Sequence, residues 1–427
     1  MKKLLALVLS VATAIACCSV FASCGKKNDD NTIKVGLLTL HDSTSTYDKN
    51  FIDAFNAACK VKGVKAVIKT GIPEAEACQT AAEDLADDGC KLVFGDSFGH
   101  ESYLRQAAAK FPNVQFAHAT GTSMQTDTTL KNFHNAFASI YEGRYLAGYA
   151  AGLKLCAMYQ ANNAIAKNGV VTVGYVGAYP YAEVKSGYSS WLLGVRAAFN
   201  AQVTDVTVNM KVKFTNSWYS EQDEKNAANA LIELGCVLIS QHADSWGAPV
   251  ACETAKVPNV SYNGSTESKC PETYIVSSRI NWQPYFEYII DCVKNGTAID
   301  KDWVGGLGDT LYDGSVCLAP LGAKAPVAGT EDALKLVAAG LKNGTIKVFD
   351  TSKFTIKDYD DVTTTSHFPA LKTVTKDENG KLTSAKQNGV EVVKTENGIT
   401  YFDESNTATN RSAPYFDIDI EGIDEVG

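Results

Sequence analysis

The amino-acid sequence predicts an α/β protein built from two similar doubly wound, Rossmann-like lobes, and three features indicate this fold. From residue 33 onward, short β-rich runs alternate with helical patterns, which is typical of parallel sheets covered by helices. Four such runs are followed by a break and then by four more at similar spacing. The chain has 427 residues, enough for two lobes that each bury a core.

The first half of the chain contains four predicted strands and two clear helices. One helical pattern spans 47–61. The other spans 73–89, starting at Pro73 and ending at Gly89, which are the residue types expected at these two ends of a helix. The strands are predicted at 33–40, 64–70, 91–95 and 114–119.

The break between the halves is predicted to be a helix at 140–155, with small residues on one face that suit close packing. In the second half, a helix at 220–235 opens with Ser220 and Asp223 at the spacing of a capping box. A further strand-to-helix unit follows the last strand of this half. The four strands are predicted at 169–177, 206–214, 236–240 and 259–263.

The composition is that of a globular protein, with 45% hydrophobic and 20% charged residues. The formal net charge of -9 argues against a nucleic-acid partner, because phosphate binding requires concentrated Lys and Arg. No cluster of basic residues occurs in the body of the chain.

The N-terminus has the layout of a secretory signal: a basic start, an apolar stretch from Leu4 to Ala22 and an abrupt polar run. The stretch FASC at 21–24 resembles a bacterial lipobox, which implies cleavage before Cys24 and a lipid on its thiol. Residues 1–23 are then a lipoprotein signal peptide and 24–32 a tether. An uncleaved anchor and cleavage at Cys17 remain the alternatives.

Twelve cysteines occur, of which two leave with the signal and Cys24 would carry the lipid. An odd number remains, so at least one is free, and no spacing typical of zinc sites is present. The sequence allows a bridge between Cys252 and Cys270. The nine remaining cysteines are 59, 78, 90, 156, 236, 252, 270, 292 and 317.

Candidate ligand-binding residues follow the predicted strands, because open parallel sheets bind ligands beyond the carboxyl ends of their strands. Aromatic side chains are concentrated there and alternate with acidic or uncharged hydrogen-bonding groups, a combination that suits a small planar or ring-shaped polar ligand. The aromatic residues are Phe51, Phe98, Tyr179, Tyr181, Trp191, Trp218, Trp246 and Trp282.

His242, Asp244 and Ser245 have the residue types of a hydrolytic triad, but their spacing in one tight loop prevents them from aiming at one reacting atom. No nucleophile elbow, Walker A loop or G-x-G-x-x-G motif follows a strand. We therefore expect a binding protein rather than an enzyme, with no cofactor and no metal. Asp244 is placed to accept hydrogen bonds from a ligand, and His242 is expected to be structural.

Four stretches resemble motifs of the basic membrane protein family, bacterial substrate-binding lipoproteins that serve ABC importers as purine-nucleoside receptors. They are YEGRYLAGYAAGL, YDKNF, NSWYSEQDEKNAANALIELGCVLISQHADS and SSRINWQPYFEYI. The resemblance runs from about residue 33 to 320 and implies a type I periplasmic-binding-protein fold with the ligand cleft between the lobes.

The resemblance also implies how the chain divides. Lobe 1 comprises 33–121 and 277–305, and lobe 2 comprises 122–276 and 306–427. The last part of lobe 2 is a β-rich C-terminal elaboration, in which 376–405 predicts hairpins with Asn-Gly turns.

The family's ligand-binding positions fall on Asp42, Phe51, Asp244, Trp218 and Trp282 of this sequence. Three positions depart from the family pattern: Thr120 and Asn263 stand where an acidic residue is frequent, and Asn281 where a Lys is common. These departures disfavour a ribose-bearing ligand and leave a free nucleobase or another small polar solute open. The ligand-binding prediction comprises Asp42, Phe51, Phe98, Thr120, Trp191, Trp218, Asp244, Asn263, Asn281 and Trp282.

The sequence thus predicts a lipid-anchored protein on the outer face of a membrane that delivers a purine nucleoside, a nucleobase or a related solute to an ABC permease. Two alternatives remain. One is a sugar or signal-molecule receptor of the same fold that serves a sensor or a sugar transporter. The other is an exported α/β enzyme.

Overall fold

A computed structural model describes residues 32–357, 373–387, 389–405 and 414–426. The described residues from Lys34 onward form one compact unit. The predicted signal peptide, the lipidation site Cys24 and most of the tether lie outside the described residues. Within the described residues, no helix combines the length and the apolar character needed to cross a membrane.

The described strands form two large sheets and two small ones. In chain order they are β1 (Lys34–Leu38), β2 (Lys65–Lys69), β3 (Cys90–Gly95), β4 (Gln115–Ala119), β5 (Phe133–Ala138), β6 (Val170–Gly177), β7 (Thr207–Phe214), β8 (Ile239–Gln241), β9 (Asn259–Tyr262), β10 (Tyr274–Ile280), β11 (Asp302–Gly305), β12 (Val316–Leu318), β13 (Thr373–Lys376), β14 (Leu382–Gln387), β15 (Val390–Glu391), β16 (Val393–Glu396), β17 (Ile399–Phe402) and β18 (Ile423–Glu425).

The described α-helices connect and cover these strands. They are α1 (Thr46–Lys62), α2 (Glu76–Asp87), α3 (Glu101–Lys110), α4 (Ser123–Thr126), α5 (Ile140–Ala161), α6 (Ala182–Asn200), α7 (Glu221–Glu233), α8 (Gly247–Ala255), α9 (Gln283–Asn295) and α10 (Thr330–Asn343).

The first sheet has the strand order β11-β5-β4-β3-β1-β2, and the second has β12-β10-β9-β8-β6-β7-β18. All pairings in the first sheet are parallel, and in the second only β12 runs antiparallel to its neighbour. The orders β2-β1-β3-β4-β5 and β7-β6-β8-β9-β10 are the same doubly wound order. The predicted fold of two Rossmann-like lobes is confirmed.

The chain passes between the sheets three times: after Ala138, after Ile280 and after Gly305. The predicted lobe boundary at residue 121 precedes β5, whereas the structure includes this strand in the first sheet. The predicted return at residue 277 falls inside β10, which stays in the second sheet. The return therefore occurs just before α9, which packs on α1 through Phe55 and Phe286 with their ring centroids 5.1 Å apart.

Helix α1 begins and ends at strong capping residues, and its first turn faces the space between the lobes. Ser45 accepts a hydrogen bond from the Asp48 amide, and Gly63 adopts a left-handed conformation after the last turn. In α7, Ser220 caps the Asp223 amide as predicted, but its own N–H donates to Glu224 rather than to Asp223. The reciprocal partner of this cap is therefore one residue later than the sequence suggests.

The small residues of α5 allow its backbone to touch that of α6. A Cβ atom on Gly148 would lie 2.0 Å from the Trp191 carbonyl oxygen, and one on Gly152 would lie 2.4 Å from that of Val195. Only glycine fits at such separations. The close packing predicted for this helix is confirmed, and it joins the two helices into one layer against the second sheet.

The C-terminal residues pack into the core of the second lobe. Phe349 and Phe416 stack with centroids 4.1 Å apart, and Ile423 lies in the same hydrophobic cluster as Met210 of β7. The predicted hairpins are present: β16 and β17 pair across Asn397 and Gly398, which both have positive φ.

All nine cysteines among the described residues are buried and free. The bridge that the sequence allows between Cys252 and Cys270 is therefore absent. The Cys270 thiol instead hydrogen-bonds to the Thr266 carbonyl oxygen, 3.1 Å away. Burial raises the pKa of Cys252, so this thiol behaves as a small apolar side chain.

Candidate ligand-binding site between the two sheets

A cavity lies between the two lobes at the carboxyl ends of their strands, where a doubly wound sheet binds ligands. The empty space among its side chains amounts to about 570 Å³, including the part that opens to solvent. Its walls are mostly aromatic and acidic. The lining residues are Leu40, His41, Tyr47, Asp48, Ser97, Phe98, Thr120, Phe137, Tyr181, Glu183, Trp218, His242, Asp244 and Tyr262.

Asp48 is the acidic residue that the first lobe contributes to the cavity. Its carboxylate accepts hydrogen bonds from the His41 amide at 2.7 Å and from the Ser45 hydroxyl at 2.5 Å. Burial by itself would raise the pKa of Asp48, but the His41 ring, the Ser45 hydroxyl and the His41 amide together outweigh it and hold the pKa below its ordinary value. Asp48 is therefore a fixed negative charge on the cavity wall.

Aromatic rings from both lobes meet at the cavity. Phe98 follows β3 in the first lobe, and its ring centroid lies 5.4 Å from that of Tyr181 in the second. Tyr181 in turn lies 5.8 Å from Trp218. These flat faces can hold a planar ligand by stacking.

Asp244 is the acidic residue at the end of β8. It is 5% exposed, and no hydrogen bond to its carboxylate is found within the described part of the chain. Burial and the nearby carboxylates of Asp48, Glu224 and Glu183 hold the pKa of Asp244 well above its ordinary value. Because the backbone of Asp244 is held by Trp218 and Thr46, its side chain has a fixed position from which to meet a ligand.

A chain of buried charges lies behind the second-lobe wall. His242 Nε2 is 2.6 Å from the Glu183 carboxylate, and Arg144 lies 2.9 Å from His242 Nδ1. Since Arg can only donate, Nδ1 accepts and the Nε2 proton points to Glu183. Burial lowers the pKa of His242 despite Glu183, and the neutral ring links the two charges. That His242 is structural stays a prediction, because its ring also lines the cavity.

Thr120 lines the cavity with a strained backbone. Its φ of 64° lies in the left-handed region, which is rare for a β-branched residue. Its hydroxyl donates to the Ala119 carbonyl oxygen at 2.6 Å. Strain of this kind is concentrated at functional sites, which draws attention to Thr120 beyond its position.

Four of the predicted ligand-binding residues line the cavity: Phe98, Thr120, Trp218 and Asp244. The structure brings them together from the ends of β3, β4, β7 and β8.

The other six predicted ligand-binding residues lie outside the cavity lining. Phe51 and Trp282 stack on each other in the first-lobe core with centroids 4.5 Å apart, and Trp191 is buried in the second-lobe core. These three are consequently packing residues in this structure, because the aromatic patterns of a core and of a cleft look alike in sequence.

The three remaining residues are polar and have local roles. Asp42 is exposed and accepts hydrogen bonds from Thr44. The Asn281 side chain accepts from the Gln283 amide at the start of α9. Asn263 is buried after β9 with φ 64°, and its side-chain nitrogen has no partner within the described ranges.

Several lining residues escaped the sequence-based prediction, above all Tyr47, Asp48, Glu183 and Tyr262. Asp48 lies in the same polar stretch as Asp42, and Glu183 follows the fifth predicted strand. Both could have been chosen had every polar residue near a strand end been weighed equally. Tyr262 lies inside β9, where only the direction of its side chain shows that it reaches the cavity.

The local contacts of the His242–Ser245 loop differ from those of a hydrolytic triad. The Ser245 hydroxyl accepts a hydrogen bond from the Gly247 amide, while the His242 ring contacts Glu183 and Arg144. Within the described ranges, no group of three His, Cys, Asp or Glu residues is arranged to hold a metal ion. The arrangement is suited to binding a small molecule by stacking and by hydrogen bonds to carboxylates.

Solved structures support the fold. An ABC transporter solute-binding protein from Aeropyrum pernix superposes with a TM-score of 0.60 at 16% identity, covering 77% of this chain and 94% of that one. One from Conexibacter woesei superposes with a TM-score of 0.56 at 18% identity, covering 74% and 98%. At this level of identity the similarity concerns the type I periplasmic-binding-protein fold alone.

Two curated relatives are similar in sequence. A protein of Haloferax volcanii, named as a candidate ABC transporter glucose-binding protein, is 32% identical over 224 residues, which is 52% of this chain and 51% of the relative. A purine-binding protein of Brucella abortus is 29% identical over 258 residues, 60% of this chain and 65% of the relative. The matches thus span about half to two thirds of these relatives.

The family comparison covers the part of the chain that contains most strands of both sheets and the whole cavity lining. The profile of the PnrA-like ABC transporter substrate-binding proteins matches residues 38–310, which include every residue that lines the cavity. This match agrees with the resemblance found in the motifs. The chain belongs to the family of PnrA-like ABC transporter substrate-binding proteins.

Proposed function

We propose that this chain is the solute-binding component of an ABC importer and that it holds a purine nucleoside, a nucleobase or a similar small polar solute in the cavity between its lobes. The observation that supports this most directly is the combination of aromatic walls with the buried Asp244 carboxyl, which has no internal hydrogen-bond donor within the described residues. A purine ring has flat faces that can stack on the aromatic walls and N–H groups that can donate to the Asp244 carboxyl.

The family and the Brucella abortus relative support a purine, whereas the sequence departures at Thr120, Asn263 and Asn281 favour a base over a riboside. A sugar is the second candidate, because the Haloferax volcanii relative is named for glucose and because aromatic faces with carboxylates also suit sugar hydroxyls. An exported enzyme is the third candidate, and it requires turnover of a bound compound.

A thermal-shift screen against purine nucleosides, nucleobases, pentoses and hexoses tests the proposal. A ligand at about 100 times its Kd stabilises the protein by about 2.7 kcal/mol, a clear rise in Tm. Asp244→Asn should weaken this shift and leave the Tm without ligand nearly unchanged, since the buried carboxyl makes no hydrogen bond within the described residues that the variant would lose.

Asp84→Asn is the matched control, because it removes a carboxylate that is 59% exposed on α2, where it pairs with Lys69 on the surface. It should shift with the ligand as the wild type does. Equal ligand-induced shifts in Asp244→Asn and wild type would show that the cavity is not the binding site. A shift with hexoses alone would favour the sugar receptor, and turnover of any compound would favour the enzyme.

We further propose that Cys24 is lipidated, so that the chain is tethered to the outer face of the membrane beside its permease. The lipobox-like FASC stretch supports this. Mass spectrometry of the membrane-bound protein should find Cys24 as the N-terminal residue with a lipid on its thiol, and Cys24→Ala should lack both the cleavage and the lipid. A wild-type protein that keeps residues 1–23 would instead support an uncleaved anchor.

A further inference from the structure

The ionisable groups on the cavity wall are unbalanced. Asp48, Glu183 and Asp244 are acidic, and His41 and His242 are the basic side chains among the lining residues. No Lys or Arg occurs in the lining. A cavity with this inventory favours ligands that bring donors or positive charge and disfavours anions.

Contacts within the protein stabilise two of the three carboxylates. Glu183 is balanced through His242 by Arg144, which lies behind the wall. Asp48 is stabilised by the His41 amide and the Ser45 hydroxyl, and the His41 ring lies 3.5 Å away.

Asp244 differs from these two. Its carboxyl is buried, has no hydrogen bond within the described part of the chain, and faces the repulsion of the other carboxylates. A positive charge from a ligand would relieve this repulsion, whereas a neutral ligand would leave it in place.

The other lining groups also suit a cation. Six aromatic rings surround the cavity, and the faces of such rings attract positive charge, most strongly where water is excluded. The Tyr262 ring already attracts one positive charge, because the Arg144 guanidinium lies over it, 3.3 Å from the ring centroid. The aromatic residues are Tyr47, Phe98, Phe137, Tyr181, Trp218 and Tyr262.

We infer that the cavity selects a positively charged purine over its neutral parent. The chemical class is a purine base or nucleoside whose ring is methylated on a nitrogen and therefore carries a permanent or nearly permanent positive charge, as in 1-methyladenosine. The ring lies between the aromatic faces and its charge next to Asp244. The inference rests on the proposed function, because it concerns the ligand of the same cavity.

Matched nucleosides that separate the effect of charge from that of an added methyl group test this inference by isothermal titration of the full chain at neutral pH. Adenosine is neutral, 1-methyladenosine is cationic, and N6-methyladenosine carries the same additional methyl group without the charge. We expect 1-methyladenosine to bind at least about tenfold more tightly than adenosine, which corresponds to about 1.4 kcal/mol of binding free energy. N6-methyladenosine should bind no more tightly than adenosine.

Two variants show whether Asp244 is the source of the preference. Asp244→Asn keeps the shape of the side chain and should reduce the preference for 1-methyladenosine to about threefold or less, because the charged partner is gone. Asp84→Asn should keep the full preference.

The outcomes separate the inference from the proposed function. If adenosine binds as tightly as 1-methyladenosine, the inference is wrong while the purine-binding function stands. The same conclusion follows if N6-methyladenosine gains as much as 1-methyladenosine, since the gain then comes from the methyl group. If none of these nucleosides and none of the nucleobases in the thermal-shift screen binds, both the proposed purine ligand and the inference are wrong.

Discussion

Asp48 lies six positions after Asp42, yet only Asp48 reaches the cavity. The difference arises from the cap of α1: Ser45 binds the Asp48 amide, which fixes Asp48 in the first turn and directs it inward. Asp42 precedes the cap, and its carboxylate is used by the Thr44 amide and hydroxyl. The Asx turn at Asp42 and the helix cap at Ser45 thus decide which of the two acidic residues can meet a ligand.

We predict that Asp48→Asn weakens ligand binding by about tenfold, because the ligand loses one hydrogen bond to a charged acceptor. Asn keeps the acceptor for the His41 amide, so the cap of α1 is preserved. Asp42→Asn should change the affinity less than about twofold. Isothermal titration with the best ligand of the screen measures both. A stronger effect at Asp42 than at Asp48 would favour the motif-based assignment over the one from the structure.

Helix α7 is joined to the cavity loop by Glu224. This buried carboxylate accepts hydrogen bonds from the Ser220 amide at the helix start and from the Ser245 amide, one residue after Asp244. Burial raises the pKa of Glu224 from 4.5 to about 7 in the folded protein. One side chain therefore fixes the start of the helix and the loop that presents Asp244.

The raised pKa of Glu224 makes stability depend on pH. The stabilisation from this group is fully present below its unfolded pKa of 4.5 and is lost as pH rises through about 7. Over that interval we expect the free energy of unfolding of the wild type to fall relative to that of Glu224→Gln, by up to about 3 kcal/mol. Denaturant unfolding at a series of pH values measures this difference, and a constant difference would contradict the assignment.

In the whole molecule, two residues of α1 form hydrogen bonds across the lobes beside the cavity, in addition to the Phe98–Tyr181 ring contact. The Thr46 amide and hydroxyl both donate to the Asp244 carbonyl oxygen at 3.0 Å, and the Asn50 side chain donates to the Ile280 carbonyl oxygen at 2.6 Å. Both donors lie on α1 of the first lobe, and both acceptors belong to the second. These hydrogen bonds join the two lobes, and hinge opening of such lobes breaks contacts of this kind.

Removal of the Thr46 hydroxyl should therefore weaken the contact between the lobes. For Thr46→Val we expect the ligand to dissociate about three- to tenfold faster, because the variant loses one neutral hydrogen bond between the lobes. The association rate should change little. Stopped-flow measurements with the best ligand report both rates. Thr80→Val, an exposed position on α2, is the control and should have wild-type rates. An unchanged dissociation rate in Thr46→Val would show that this contact does not limit opening.

Much of the architecture could be predicted from local pattern, and the misses have physical causes. Strand β5 was missed because His134 and Asn135 interrupt its apolar run, although both side chains are buried and hydrogen-bonded in the structure. The reciprocal partner in the α7 cap was misplaced because Asp223 and Glu224 are adjacent and only the geometry of the first turn distinguishes them.

The sequence by itself determined the two-lobed α/β fold, the closely packed α5, the hairpin turns and the position of Asp244 after β8, because periodicity, glycines and caps act over a few residues. Tertiary structure alone decided that Phe51, Trp191 and Trp282 lie in cores, and that Tyr47, Glu183 and Tyr262 face one cavity. A side chain's neighbours across two sheets depend on how separate segments pack. No local pattern in the chain contains that information.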